Sequence, residues 1–177
     1  MNKIDTTKQP SIPNGWTIES HDTSLGKINL KDIELYLDDS QKDGYIEGYK
    51  LREKLKDQPV LNATVLDYLW EHQDQIPESW KERDKDGNIK FIYFWGTIFR
   101  DSVGGLYVRG VYFLGGAWGR SYRWLGNEWD GRNPAAVSQV KSLRPKKLSP
   151  TFDSRPLEAR IKSLETKMDR IDKILKL

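Results

Sequence analysis

Residues 91–137 read FIYFWGTIFRDSVGGLYVRGVYFLGGAWGRSYRWLGNEWDGRNPAAV. They hold twelve of the chain's twenty aromatic residues and nine of its fourteen glycines, so the pattern to decode is aromatic runs broken by glycine. Aromatic and β-branched runs separated by glycine pairs predict β-hairpins. The strands expected are Phe91–Phe99, Leu106–Leu114 and Ala117–Leu125. Ser102–Gly105 and Gly115–Gly116 supply the turns, because glycine accepts the positive φ that a tight hairpin needs. From Trp118 onward, Trp118, Trp124 and Trp129 are set among Gly, Arg, Ser, Asn and Asp. Rigid rings among small polar residues are the composition of a binding surface.

Outward from this segment, the N-terminal half predicts helices. Asn62 stands before a Val65, Leu66, Leu69, Trp70 stripe, the i, i+3, i+4 signature of an amphipathic helix with an N-cap. Tyr45 to Lys56 gives a rougher helical face, stopped by Asp57-Gln58-Pro59. Ile33–Leu37 alternates like a half-buried strand, and Trp16–Glu19 reads as a short edge strand. Helices preceding a compact β segment predict an α+β domain. The division expected is a disordered arm at 1–14, a domain at 15–137, a basic linker at 138–156 and a helix at 157–177.

That last helix is the most regular pattern in the chain. Leu157, Ile161, Leu164, Met168, Ile171 and Leu175 are spaced alternately four and three residues apart, a heptad seam. In a parallel assembly Arg160 would face Glu165 of a neighbour and Lys167 would face Asp172, both attractive. A homo-oligomer is expected, a trimer before a dimer; the alternative is one amphipathic helix packed on its own domain.

Charge divides the chain the same way. Residues 138–177 carry eleven Lys/Arg against five Asp/Glu, whereas residues 1–137 carry eighteen against twenty-one. The basic tail, with Lys141, Arg144, Lys146 and Lys147, could touch a phosphate backbone. Arg120, Arg123 and Arg132 among aromatics could stack bases. The negative domain weighs against nucleic acid as the main partner.

Enzyme signatures are sparse. With no cysteine there is no disulfide, thiolate metal site or cysteine nucleophile. His21 and His72 lack ligand-spaced partners, and no cofactor or metal is expected. Asp84 to Asn88 resembles the start of a calcium loop, but Tyr93 stands where the bidentate glutamate should be, so a turn is expected. Glu128 and Asp130 could serve a hydrolase only with a suitable cleft. No apolar run is long enough for a membrane span, and the polar N-terminal stretch offers no signal-peptide core, so a cytoplasmic location is expected.

Trp118-Gly119-Arg120-Ser121-Tyr122-Arg123-Trp124-Leu125-Gly126-Asn127-Glu128-Trp129, leading into Asn133-Pro134-Ala135-Ala136-Val137, resembles the end of variable proteins from diversity-generating retroelements. The resemblance implies a C-type-lectin-like fold with a diversified ligand-binding surface. It further implies adenine-directed mutagenesis, which from Asn codons reaches Gly, Ser, Arg, Asn and Asp but never Trp or Glu. Trp118, Trp124 and Trp129 would then be fixed scaffold. The odd-numbered Gly119, Ser121 and Arg123 would face the ligand, with Trp118, Arg120, Tyr122 and Trp124 pointing inward. The candidate contacts are Gly119, Ser121, Arg123, Asn127, Asp130 and Arg132, flanked by Tyr112 and Tyr122. The competing reading is a Trp-rich buried sheet with ordinary polar loops. On the first reading the chain is a non-enzymatic recognition protein displayed on a coiled-coil oligomer. The alternative is a nucleic-acid-associated accessory protein using the basic tail.

Overall fold

The computed structural model describes residues 3–139; the heptad seam from Leu157 to Leu175 and most of the basic linker lie outside these described residues. The chain runs β1 (Lys3–Asp5), β2 (Thr17–His21), β3 (Lys27–Asn29), β4 (Ile33–Tyr36), α1 (Asp39–Lys42), β5 (Tyr45–Glu47), α2 (Gly48–Lys54) and α3 (Ala63–Glu71). It continues β6 (Phe91–Tyr93), β7 (Thr97–Arg100), β8 (Leu106–Leu114), β9 (Ala117–Trp124), β10 (Glu128–Asp130) and β11 (Ala135–Ser138). The α+β class expected from the sequence is the class observed.

β8 is the spine. β9 pairs with it from end to end, Leu114 opposite Ala117 and Tyr107 opposite Trp124. Gly115 and Gly116 close the hairpin with φ of 62° and 85°, values an L side chain rarely adopts. Along its other edge β8 takes β7 at one end and β6 at the other. The expected single strand Phe91–Phe99 is therefore two, broken around Trp95-Gly96, because one run serves two places on β8. The sheet continues from β6 to β11, a parallel contact, and ends at β4, while β2 closes the far edge beyond β7.

Alternation sorts the side chains onto two layers. Tyr93, Trp95, Val108, Ala135 and Val137 face one way, toward Trp129 and α2. Ile92, Phe94, Val111 and Ala136 face the other, against Val65, Leu66 and Leu69 of α3. The α3 stripe is thus the one predicted. Each face buries a complete apolar layer, and that burial is the main stabilising term.

Three expectations need correction. Residues 3–14 are not a disordered arm: β1 pairs with β3, and Ser11 donates through its N–H (2.6 Å) and Oγ (3.0 Å) to the Asp67 carboxylate. Tyr45–Glu47 opens no helix but pairs with β10, because Ile46 and Trp129 bury together in that ribbon. Asn62 sits at the N-cap position but caps nothing with its side chain. Its Nδ2 instead donates to the carbonyls of Thr6 and Asp22, both at 2.8 Å, and Thr97 Oγ1 accepts the Ala63 N–H at 2.9 Å. Asn62 is 1% exposed, so these bonds are made in the core.

Gly96 marks where α3 meets the sheet. A Cβ there would lie 2.8 Å from Asn62 N and 2.9 Å from its Cα. Backbone cannot swing aside as a side chain can, so Gly96→Ala should destabilise the domain by about 1–3 kcal/mol. A shift in the urea midpoint measures this; an unchanged midpoint would show that the α3 start is not held here.

Candidate functional site

β9 has two unlike faces. On the α3 side the hairpin forms a ladder of cross-strand pairs: Phe113 with Trp118, Val111 with Arg120, Arg109 with Tyr122 and Tyr107 with Trp124. Aromatic rings and cations alternate along it. The ring centroids of Phe113 and Trp118 are 5.2 Å apart, and Trp16 from the N-terminal arm lies 4.8 Å from Tyr107 and 5.1 Å from Tyr122. The Arg120 guanidinium stacks on Trp70 of α3 at 4.3 Å.

Arg109 anchors this ladder from beneath. It is 1% exposed, yet its guanidinium reaches Asp67 Oδ1 at 2.7 Å, Ser11 Oγ at 3.1 Å and the Ser11 carbonyl at 2.5 Å. It also lies 4.6 Å from the Phe99 ring and 5.3 Å from the Tyr122 ring. One buried cation thereby joins sheet, helix and N-terminal arm. A lone arginine at the centre of the apolar run Leu106–Leu114 was the signal for it in the sequence.

The opposite face holds the residues expected to meet a ligand, and it is not open. A Cβ on Gly119 would lie 2.3 Å from the Tyr112 ring. Ser121 Oγ donates to Tyr93 Oη at 3.4 Å, and burial pushes the Tyr93 phenol above its ordinary value. The Arg123 guanidinium sits 5.3 Å from the Trp129 ring and donates to the Glu128 carbonyl. Trp129 is wholly buried, as a scaffold ring should be. Tyr122 and Trp124, expected to point inward, are 40% and 44% exposed. The expected orientation of β9 is therefore reversed at this end. Tyr112, Tyr93 and Trp129 of β10 lie over Gly119, Ser121 and Arg123 in turn, whereas Trp70 of α3 and Trp16 of the N-terminal arm cover only part of the other face.

Asn127 is exposed in the turn after β9, where its N–H donates to the Trp124 carbonyl at 3.1 Å. Tyr112 packs on Phe91, centroids 5.0 Å apart. Asp130 and Arg132 stand elsewhere, on the wall of a cleft of about 1050 Å³ also lined by Tyr36, Lys42, Asp84 and Lys90. The other six candidates do not line it.

Two carboxylates of that cleft, Asp130 and Asp84, are committed internally. Both Asp130 oxygens accept from Arg132, at 2.6 to 3.2 Å. Burial alone would raise the Asp130 carboxyl, but the Arg132 hydrogen bonds and charge outweigh it and hold the group below the usual carboxylate range. A general acid needs the opposite shift. The native clamp favours the ionised form, so its contribution to stability is present at neutral pH and is lost as pH falls through the depressed value. Asp84 accepts the N–H groups of Asp86 and Asn88, the first stabilising the Gly87 turn that the sequence predicts. His72 ends α3 with its ring stacked on Tyr68 at 4.3 Å. Among the described residues no group of three His, Cys, Asp or Glu side chains could hold a metal ion, and no helix is long and apolar enough to cross a membrane.

Comparison of the chain with protein-family models, curated proteins and solved structures finds no match.

Proposed function

We propose that this chain is a non-enzymatic recognition protein that meets its ligand with the aromatic, cationic face of the β8–β9 hairpin. One observation carries the reading: Tyr122 and Trp124 stand 40% and 44% exposed on a strand whose backbone and underlying Arg109 are fixed. Large exposed rings on a rigid support give contact area with little ordering cost. Trp16 and Tyr107 extend the same surface. As part of the proposal the scaffold is C-type-lectin-like, and the C-terminal heptad displays several copies. Multiple copies raise a weak single-site affinity when the ligand is repeated.

Diversification by a retroelement belongs to the same proposal, with a change in where it acts. Exposed positions such as Asn127 can vary without repacking, whereas any side chain at Gly119 must displace the Tyr112 ring. A reverse-transcriptase gene beside a near-copy of the 3′ segment would support this part; a locus without either would remove it.

The test is a ligand-detected NMR panel of soluble glycans, unstructured peptides and single-stranded oligonucleotides, with wild type and Trp124→Ala side by side. One class should bind the wild type and weaken at least tenfold in the variant. That corresponds to about 1.4 kcal/mol, the scale of a single aromatic contact. Equal binding to both proteins, or none, overturns the reading. Selective, salt-dependent retention of the oligonucleotides would move the function to nucleic acid.

A further inference from the structure

The edges of the sheet are not equivalent. β2 is interrupted by a register shift between Ile18 and Ser20, a device that blunts strand pairing. β4 is four residues long and presents Glu34, whose carboxylate takes a bond from Gln139. β9 is eight residues long, holds no proline, pairs with β8 without a shift, and pairs with nothing else among the described residues.

Register shows which of its backbone groups point away from β8. The Leu125 N–H donates to the Leu106 carbonyl at 2.9 Å, one residue beyond the Trp124–Tyr107 pair. Hydrogen-bonded and non-hydrogen-bonded pairs alternate in an antiparallel ladder. Odd-numbered residues of β9 therefore bond to β8, and Trp118, Arg120, Tyr122 and Trp124 turn their amides outward. The Trp124 carbonyl is taken by the Asn127 N–H at 3.1 Å, so Trp118, Arg120 and Tyr122 present complete donor–acceptor pairs. These same residues carry the aromatic and cationic side chains of the exposed face.

Charge selects the occupant. β9 contains two arginines and no carboxylate. Arg120 lies exposed on Trp70 and forms no ion pair among the described residues. A second copy of β9 paired about Arg120 would set like charges directly opposite each other, which is destabilising. A strand with a carboxylate opposite Arg120 and apolar side chains two residues to either side would meet the guanidinium and the Trp118 and Tyr122 rings.

We propose that β9 is the site of strand addition by an extended acidic peptide of a partner protein, with a carboxylate against Arg120 and apolar residues against Trp118 and Tyr122. This rests on the reading of the chain as a recognition protein, and it names the partner class. Backbone bonds along the edge supply affinity, and the alternate side chains supply specificity.

The probe is a labelled nonapeptide with glutamate at its fifth position, valine at the other odd positions and threonine at the even ones. The pattern reads the same in both directions, so it tests parallel and antiparallel addition together. Titrated into the full chain and followed by anisotropy, it should bind saturably, about tenfold more tightly than its central-glutamine counterpart. Arg120→Glu should reverse the preference, taking a central-lysine peptide about tenfold better than the glutamate one. The amides of Trp118, Arg120 and Tyr122 should become protected from hydrogen exchange in the complex. No binding, equal binding of the glutamate and glutamine peptides, no reversal in Arg120→Glu, or protection elsewhere overturns the inference. The Trp124→Ala panel reads the aromatic face independently: a panel ligand that still depends on Trp124 while the peptide fails sinks strand addition alone.

Discussion

Replacing Arg109 by leucine should destabilise the domain by about 3 kcal/mol, visible as a fall of roughly 10 °C in Tm. Arg109 is 1% exposed, and its removal takes the cation from Asp67, which keeps only the two Ser11 bonds, and leaves the Ser11 carbonyl without its Arg109 donor. The Asp67 side chain keeps 21% of its exposure, so water partly relieves it, and the cost falls at the lower end of the range for a broken buried pair. Leucine also loses the cation–ring contacts to Phe99 and Tyr122. Two further measurements separate this account from simple loss of bulk. Limited proteolysis should cut the N-terminal arm near Ser11 faster in Arg109→Leu than in wild type. The double variant Arg109→Leu with Asp67→Leu should recover part of the loss, because no charge is then left alone. Strict additivity of the two single changes would show that the pair is not coupled.

Trp129→Ala should cost about 3–5 kcal/mol, the range for truncating a large buried ring. Trp129 is fully buried, with Tyr93 at 4.7 Å and Trp95 at 4.6 Å between ring centroids. It also fills the space beside Gly48, where a Cβ would lie 2.3 Å from its Nε1, so α2 and the β5–β10 ribbon depend on it together. Trp124→Ala should cost under about 1 kcal/mol, since 44% of that residue is already in water and the ring leaves no closed cavity. The contrast is the useful quantity. Similar urea midpoints for the two variants would mean that Trp124 is structural and would remove it from the recognition surface.

These two tryptophans show how far the sequence carries. It marks both as large rings in a glycine-rich β segment, and codon logic assigns both to the scaffold. Only Trp129 is buried. Whether a ring on a strand is core or surface depends on what lies over that face, and the cover comes from elements distant in the chain. Trp129 is covered by β5 and α2; Trp124 lies over Gly126 and opposite Tyr107, at the open end of the hairpin. The same gap misplaces Gly119, Ser121 and Arg123, whose small or polar character suggests solvent but which pack on Tyr112, Tyr93 and Trp129.

Asn62 gives the complementary lesson. Its position at the head of α3 is legible from the apolar stripe that follows, because helix periodicity is local. What its side chain bonds is not, since Thr6 and Asp22 arrive from 56 and 40 residues away.

By itself, then, the sequence determined the α+β class, the strand Leu106–Leu114, the Gly115-Gly116 turn and the apolar face of α3. Each follows from backbone preferences and side-chain alternation over a few residues. Only the tertiary structure decided that the N-terminal arm is pinned by Arg109, that β10 pairs with β5, and which face of β9 meets water. Those outcomes depend on burial by partners far apart along the chain. Alternation in a strand defines two faces, but only packing chooses between them.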